Sequence, residues 1–344
     1  MLQLSDIRYN DVHLIFEEEG HKYRDTSGNT NYISVTTLLG GYHQDFNKNY
    51  WLIKKAKELH ISTKELQKQW DTIRDEACDR GTLTHEGLEN GIKGASMFKD
   101  AVRYMIRENG EMITVADLPD INNKIKELDI NEFKEITKNK YEKIYKIFEY
   151  YISQGYKIYS EIGAFLIDYL VSGCIDVLII RDDQFVIGDW KTNRGGLKFE
   201  SGYYKKDKTQ KPFQETDTWV KTYNKLKAPL ADMADCNGSI YNMQLSMYAL
   251  MVEMILGIPC AGLWLCHIDS DFVLNEYGRP KRFSDGLYHI NDNPVEKLTI
   301  YKMNYLKEKA GLILQDRKRV VDAEKVRVQP SLFDDDANNA STGN

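Results

Sequence analysis

Hydrophobic and polar residues follow two different periods along this chain, and the change of period divides it. Residues 13–34 alternate and carry turn residues, which predicts a small hairpin or meander. The segment SVTTLLGGY then predicts a helix start with Ser34 or Thr36 as its cap. Residues 48–154 are mainly helical by pattern. The clearest case is YEKIYKIFEYYISQGY, whose apolar residues recur at spacings of three and four before Gly155.

The pattern changes at residue 156, where β-branched and aromatic residues broken by turn signals predict three or four adjacent strands. Residues 193–236 are expected to form a long irregular insertion. The stretch SIYNMQLSMYALMVEMILG predicts an apolar helix that ends at Gly257 and Pro259, AGLWLCHID a further strand, and residues 294–323 a last helix. This order indicates an α/β (α+β) fold, with a central mixed sheet flanked by helices and a helical N-terminal elaboration.

The length of 344 residues fits one elaborated domain or two intimately packed ones. We expect a small β element and a helical region packed on the core (1–155), the core itself (156–326), and a disordered acidic tail (327–344). No window approaches the ~18 consecutive apolar residues of a membrane helix, and the N-terminus has no secretion signal. The five scattered cysteines indicate free thiols. A cytoplasmic protein without membrane contact is therefore expected.

The charge is unevenly distributed. The net charge of −6 argues against a nucleic-acid protein, but residues 191–227 hold ten basic residues and only four acidic ones. The insertion interleaves its lysines with six aromatic residues: Phe199, Tyr203, Tyr204, Phe213, Trp219 and Tyr223. Because lysines neutralise phosphates and aromatic rings stack on unpaired bases, this mixture is typical of a groove for single-stranded nucleic acid. A flexible solvated loop is the alternative.

Two acidic residues lie in apolar strand segments on either side of Arg181-Asp182-Asp183-Gln184. If these segments form a hairpin with Asp182-Asp183 at its tip, Asp176 lies opposite Asp189, about 5 Å away at Cβ. Like charges so placed are destabilising unless a cation lies between them. Lys191 projects from the same strand face as Asp189. The alternative is a solvated edge hairpin with a surface Asp–Lys pair.

Two carboxylates, together with waters and a substrate phosphate, suit Mg²⁺. Such an ion polarises a scissile phosphate and lowers the pKa of bound water. Lys191 would stabilise the charge that develops in the transition state, or position the attacking water.

The segment GCIDVLII…FVIGDWKT resembles the core motif of the PD-(D/E)XK nuclease superfamily. Asp176 stands at the first acidic position, Asp189 at the second and Lys191 at the lysine, while Ile175 replaces the proline of the motif. The resemblance implies a restriction-endonuclease-like sheet and one or two Mg²⁺ or Mn²⁺ ions. The pair Gln244 and Tyr248, four apart on one helix face, is similar to a third motif of RecB-type, lambda-type and mitochondrial-genome-maintenance-type exonucleases, in which such groups contact DNA or orient the lysine.

Further sites follow from the same resemblance. His85, after Arg80-Gly81-Thr82 near an expected helix start, corresponds to an additional metal ligand, and Glu161 to an acidic residue on the preceding strand. Both also have ordinary structural interpretations. Glu86 and Glu89 are expected as solvated-face charges. The residues expected to contact DNA are Gln244, Tyr248, Arg80, Thr82, Arg194, Tyr203, Tyr204 and Lys205.

The tail contains Gln329-Pro330-Ser331-Leu332-Phe333, which is similar to a short peptide by which replication proteins bind a sliding clamp. Gln329, Leu332 and Phe333 would be its anchors. No ATP-binding glycine loop is found in the sequence, so a helicase or recombinase would be a separate protein.

The resemblance implies a metal-dependent DNA exonuclease acting on single strands or free ends, in phage or mobile-element replication, recombination or repair. If the gene is phage-encoded, the expected location is the cytoplasm of the bacterial host. Three alternatives stay open. They are an endonuclease on the same core, a catalytically silent DNA-binding protein recruited to a clamp, and a hydrolase of small phosphoesters, which would leave the basic insertion without a purpose.

Overall fold

A computed structural model of the chain describes residues 14–17, 22–25, 28–94, 105–108, 111–114 and 127–328. Within these ranges the helices are α1 (Val35–Gly40), α2 (Lys48–Leu59), α3 (Thr63–Lys93), α4 (Ile130–Ile136), α5 (Glu142–Ser153), α6 (Asn237–Leu256) and α7 (Lys307–Val328). The strands are β1 (Leu14–Glu17), β2 (Lys22–Asp25), β3 (Ile33–Ser34), β4 (Met105–Glu108), β5 (Glu111–Thr114), β6 (Lys157–Leu166), β7 (Val171–Arg181), β8 (Gln184–Lys191), β9 (Gly202–Asp207), β10 (Gln214–Lys221), β11 (Cys260–Asp269) and β12 (Lys297–Met303).

The centre of the fold is a mixed sheet with the order β12-β11-β8-β7-β3. β6 also pairs with β7, along the edge of β7 that β8 and β3 do not use. β11 runs parallel to β8, and β3 runs parallel to β7. The pairs β6–β7, β7–β8 and β11–β12 are antiparallel. The expected central mixed sheet is therefore present.

Helices cover both faces of this sheet. One apolar cluster joins α1, α6 and α7 to one face, with Leu245, Met247 and Val252 of α6 fully buried. A second cluster joins α3, α4 and α5 to the opposite face. Along β8 the odd positions Phe185 and Ile187 belong to the first cluster and the even positions Val186 and Trp190 to the second. This alternation is the period of a strand buried on both sides, and it assigns Asp189 to the face that α6 covers.

Several local expectations are confirmed. β1 and β2 form an antiparallel hairpin, and Ser34 caps α1 by accepting a hydrogen bond from the Thr37 amide at 3.1 Å. Three strands follow residue 156, and α6 ends at Gly257, whose φ of 71° is the left-handed conformation that glycine favours. All five cysteines lie in described parts of the chain and are free.

Two expectations were wrong. The expected helix at 294–323 was placed too early. Lys297–Met303 within it is the strand β12, because KLTIYKM alternates in burial and pairs with β11, and the helix is α7, from Lys307. The insertion 193–236 is not irregular throughout, since β9 and β10 form a hairpin. Tyr204 and Trp219 are directly paired across it, with ring centroids 5.0 Å apart.

No helix among the described residues combines the length and apolarity that a membrane crossing requires.

Candidate active site

The site lies where β7 and β8 separate. Their ladder runs from Arg181–Gln184 at the turn to Val177–Gly188, which is the predicted register, and it ends there. Asp176 and Asp189 are the next residues on each strand. Beyond the ladder the Trp190 amide donates to Asp176 Oδ2 at 3.1 Å. β3 pairs with the same edge of β7 at Val171 and Ser172. The sheet therefore has a local gap on this edge of β7, between the end of the β8 ladder at Val177 and the pairing with β3.

A third carboxylate faces Asp176 from the other side of β7. The pairs Ser160–Val177 and Ile162–Ile175 place Glu161 of β6 opposite Asp176. Glu161 has a φ of 55°, a left-handed conformation that costs a non-glycine residue about 1–3 kcal/mol. The register therefore lines up Glu161, Asp176 and Asp189 across three neighbouring strands. The thiol of Cys174 donates to Glu161 Oε2 at 3.0 Å.

Lys191 brings a positive charge to these carboxylates. Its Nζ lies 2.5 Å from Asp189 Oδ2 and 5.0 Å from the centre of the Tyr241 ring. Among the described residues Asp189 Oδ2 makes no hydrogen bond beyond this contact with the ammonium. The side chain of Asp189 is 2% exposed and that of Asp176 14%. The arrangement combines buried negative charge with one ammonium.

The protonation of the site reflects this burial. Burial raises the pKa of Asp189 to about 7 against the opposing effect of Lys191, and the Asp176 charge adds to the rise. Burial also raises the pKa of Asp176, with Glu161 contributing in the same direction and Lys191 opposing. Burial lowers the pKa of Lys191, but attraction to Asp189 and Asp176 outweighs it and the net direction is upward. The acids are therefore under-compensated, and a further cation would favour their ionised forms.

Helix α3 covers this end of the sheet. His85 Nδ1 lies 3.5 Å from Asp176 Oδ2, and burial lowers the pKa of the imidazole, which favours the neutral form that ligates metals. A Cβ on Gly81 would lie 3.1 Å from Thr192 Oγ1, so glycine permits the close approach of α3 to the end of β8. The expectation of a helix start near Arg80-Gly81-Thr82 and His85 was wrong, because α3 begins at Thr63 with Ser62 as its cap.

Gln244 and Tyr248 lie on the other side of the carboxylates. Both are buried, and Gln244 Nε2 donates to the Tyr248 hydroxyl at 3.3 Å. The Tyr248 ring packs on the β7 backbone, where a Cβ on Gly173 would approach it to 2.4 Å. Burial raises the pKa of Tyr248, and the Asp189 charge adds to the effect. The pair thus supports the strands from beneath and is not on an open surface.

A basic and aromatic cleft begins directly after Lys191. Its volume is about 1230 Å³, and its floor includes Gly195 and Gly196, both in left-handed conformations. The insertion supplies Arg194, Lys198, Tyr203, Tyr204, Lys205 and Trp219. The four residues of this segment expected to contact DNA (Arg194, Tyr203, Tyr204 and Lys205) therefore share one surface. The Arg279 guanidinium lies 3.6 Å from the Tyr204 ring centre.

The opposite wall of the cleft was not anticipated. It is helix α2, which contributes Trp51, Lys54, Lys55, Lys57 and Glu58. In the sequence these residues form a lysine-rich amphipathic helix about 140 positions before the insertion, a pattern that solvated helices share. Only the folded chain brings the two basic segments together.

Other expected contacts are not at this cleft. The Arg80 guanidinium lies over the Phe272 ring at 5.3 Å, and Thr82 is exposed on α3. Glu89, expected on a solvated face, is buried and paired with Lys93 one helical turn away. Gln329, Leu332 and Phe333 lie outside the described residues, so the clamp peptide stays a prediction.

Comparisons with protein-family models, with curated proteins and with solved structures find no match to this chain. The chemistry of the site is therefore argued from its own residues.

The donor groups fit a hard divalent cation. Asp176 and Asp189 present carboxylate oxygens, and within the described part of the chain the buried Asp189 Oδ2 makes no hydrogen bond beyond its contact with the Lys191 ammonium. No cluster of three or more His, Cys, Asp or Glu side chains is assembled as a metal cage among the described residues. Mg²⁺ does not require such a cage, because it retains waters and binds through one or two carboxylates plus substrate phosphate.

Proposed function

We propose that this protein is a metal-dependent nuclease that hydrolyses phosphodiester bonds of DNA. The observation that carries the proposal is the convergence of Asp176, Asp189 and Lys191 at the point where β7 and β8 separate. The resemblance to PD-(D/E)XK nucleases supports it, because that motif requires the same three side chains on two adjacent strands. The basic cleft beside the site supports a polyanionic substrate over a small phosphoester.

Each residue has a separate task in this proposal. Asp176 and Asp189 would hold the cation, with His85 and Glu161 next to Asp176. When bound, the ion would supply Lewis-acid polarisation of the phosphate and a more acidic bound water. Lys191 would hold its proton and donate to the phosphate oxygen on which charge develops. Its raised pKa keeps it protonated while the carboxylates are ionised.

Gln244 and Tyr248 would act through position. Their side chains fill the space between α6 and the carboxylate-bearing strands, and Tyr241 of the same helix lies beneath the Lys191 ammonium. Because these groups are packed, they restrict the directions in which Asp189 and Lys191 can point. This restriction is the preorganisation that electrostatic catalysis requires.

The test is digestion of end-labelled linear DNA, single- and double-stranded, with EDTA, Mg²⁺ or Mn²⁺. We expect hydrolysis only with a divalent ion. Lys191→Ala should lower the rate by roughly 10²–10³-fold while binding to the same DNA is retained. Lys302→Ala, on the exposed side of β12 far along the sheet from β7, is the matched control and should retain full activity.

Two results would reject the proposal. One is a wild-type protein that binds DNA but cleaves none with either metal, which is the behaviour of a silent accessory protein. The other is a Lys191→Ala variant as active as Lys302→Ala. Circular single strands tested in parallel separate an exonuclease, which leaves them intact, from an endonuclease, which opens them.

A further inference from the structure

A second cavity lies beside the basic cleft, at the carboxyl end of β11. Its volume is about 290 Å³, and it shares Gly195, Gly196 and Arg279 with the cleft. Strands β11 and β12 line it on one side, and residues 270–280 line it on the other. We call this cavity the side pocket.

The side pocket begins one strand away from Lys191. β8 and β11 are parallel, and His267, which lines the pocket, is the direct register partner of Lys191. Neighbouring strands are about 4.8 Å apart. Both side chains belong to the sheet face that α6 covers, because Asp189 and Leu265 on that face precede them by two positions. A phosphate bound at Lys191 would therefore have the side pocket as its neighbour.

The charges of the two cavities differ. The described residues that line the cleft include nine basic and two acidic side chains, whereas those that line the side pocket include two of each. The cleft therefore favours phosphates, and the side pocket does not. His267, Asp269 and Asp271 form no metal-binding group within the described part of the chain. The balance of charge indicates an uncharged occupant.

The side pocket combines polar groups with aromatic surface. Arg279 Nε is buried and makes no hydrogen bond among the described residues, so one donor is unused. Asp269 and Thr299 add acceptors, and Phe272 and Tyr301 add aromatic rings. A neutral heteroaromatic ring with donors and acceptors on its edge matches this set. The volume is just below the roughly 300–1,000 Å³ of pockets for drug-sized ligands, so it suits a single nucleobase.

The wall between the two cavities is held in place by hydrogen bonds. Asn193 Nδ2 and Asn237 Nδ2 both donate to the Gly196 carbonyl, at 2.9 Å and 3.0 Å. His267 Nε2 donates to the Asn193 carbonyl at 2.7 Å. Gly195 and Gly196 have φ values of 85° and 74°, which glycine adopts without strain. At these two positions the wall is therefore a fixed backbone ridge without side chains.

We propose that the side pocket receives one unpaired nucleobase, from a nucleotide next to the phosphate at Lys191, while the phosphates stay in the basic cleft. This inference rests on the proposed function, because it requires a polynucleotide whose scissile phosphate lies at Lys191. The base would stack on the aromatic surface and bind Arg279 Nε and Asp269 through its edge. Since bases differ in shape and edge, hydrolysis would depend on base identity at one position beside the cut.

A strand that carries a single base tests the side pocket without hydrolysis. The ligands are short fluorescent oligonucleotides of abasic residues, with or without one central base, and each of the four bases is measured in turn in EDTA. Both ligands carry the same phosphates, so the ratio of their Kd values isolates the gain from the base. Thr299 is exposed on β12 and lines the pocket, so Thr299→Trp should fill it, and Thr299→Val is the control of similar size.

We expect at least one base to improve binding by about fivefold or more in wild type and in Thr299→Val. The gain should fall to nearly onefold in Thr299→Trp. Tyr203→Ala removes an aromatic ring of the cleft and should change the gain by less than about twofold. A gain that persists in Thr299→Trp, a gain that Tyr203→Ala abolishes, or no gain in wild type would each overturn the inference.

A second variant does not depend on filling the pocket. Asp269→Ala removes an acceptor for the base edge and should lower the gain by at least about twofold. Any effect of the lost charge on the phosphates cancels in the ratio. Asp182→Ala, at the exposed turn between β7 and β8, is the control and should leave the gain unchanged. Equal gains in the two variants would count against the side pocket.

The cut ends of random-sequence single-stranded DNA give a further readout. With Mg²⁺, wild type and Thr299→Val should show a base preference at one position beside the cut, and Thr299→Trp should lose it. Cut ends of uniform base composition in wild type would contradict the inference.

The two proposals fail separately, because the single-base measurement records binding and not cleavage. If the base gain depends on Thr299 but no DNA is hydrolysed, the nuclease proposal fails and a base-binding pocket stands. If hydrolysis depends on Lys191 but no base gain is found, the nuclease proposal stands and the side pocket fails.

Discussion

Asp189 is a buried carboxylate whose ionisation is opposed by its surroundings in the folded chain. We expect Asp189→Asn to make the metal-free protein more stable than wild type at pH 8, although it removes a group that the proposed chemistry requires. The reason is that asparagine has nearly the same shape and carries no charge. Lys191 keeps Asp176 as an acidic neighbour in the variant, because Asp176 also attracts its ammonium.

The magnitude follows from the pKa. A pKa of about 7 in the folded chain against an ordinary 3.8 corresponds to at most about 4 kcal/mol. Below pH 4 both folded and unfolded chains carry Asp189 protonated, so no penalty exists. From pH 4 to 7 the unfolded chain ionises while the folded one keeps its proton, and the penalty grows until it levels off above pH 7. After relaxation of the site, we expect the free energy of unfolding of Asp189→Asn to exceed that of wild type by about 2 kcal/mol at pH 8.

Urea denaturation in EDTA at pH 5, 6, 7 and 8 measures this difference. Asp182→Asn, at the exposed turn of the same hairpin, is the matched control and should stay within about 0.5 kcal/mol of wild type at every pH. If Asp189 holds the proposed ion, added Mg²⁺ should stabilise wild type but not Asp189→Asn. A variant that is less stable than wild type at pH 8, or a difference that does not change with pH, would refute the reasoning.

Two further predictions concern the scaffold. Gly188→Ala should lower the free energy of unfolding in urea by about 1–3 kcal/mol, because its Cβ would lie 2.2 Å from the Trp264 ring. Gly262→Ala is the control and should be nearly neutral, because its nearest neighbour would be 3.9 Å away. Equal effects of the two substitutions would contradict the packing argument. Lys93→Met should cost about 3–5 kcal/mol of unfolding free energy because it removes the buried ammonium that is paired with Glu89. Glu89→Gln added to it should recover part of the loss, which a double-mutant cycle would detect as a coupling energy.

The opposed positions of the two carboxylates could be predicted from the sequence, because a two-residue turn fixes the register of a hairpin. Once Asp182-Asp183 is the tip, the opposition of Asp176 and Asp189 follows from counting. Long apolar elements such as α6 could likewise be predicted from the sequence. What these patterns have in common is that the determining contacts are local, within one helix or one hairpin.

The missed features depend on contacts between distant segments. β12 could be mistaken for a helix because its seven residues adjoin the helical pattern of α7, and only pairing with β11 decides the matter. The α2 wall of the cleft carries no signal beyond scattered lysines, and its partner residues lie about 140 positions away. The buried Glu89–Lys93 pair has the spacing of an ordinary surface pair, and burial arises from α3 lying against the sheet.

The site combines two unfavourable features, a left-handed Glu161 and two buried acids with raised pKa values, on three neighbouring strands. Such features persist only where the surroundings leave no lower-energy arrangement. Trp190, directly beside Asp189, packs edge-on to both Phe148 and Trp264, which fixes the strand on the opposite face. Because one face of β8 is held by this aromatic packing, Asp189 stays on the buried face that α6 covers, with Lys191 as its cationic neighbour, and a further cation at this position would favour its ionised form.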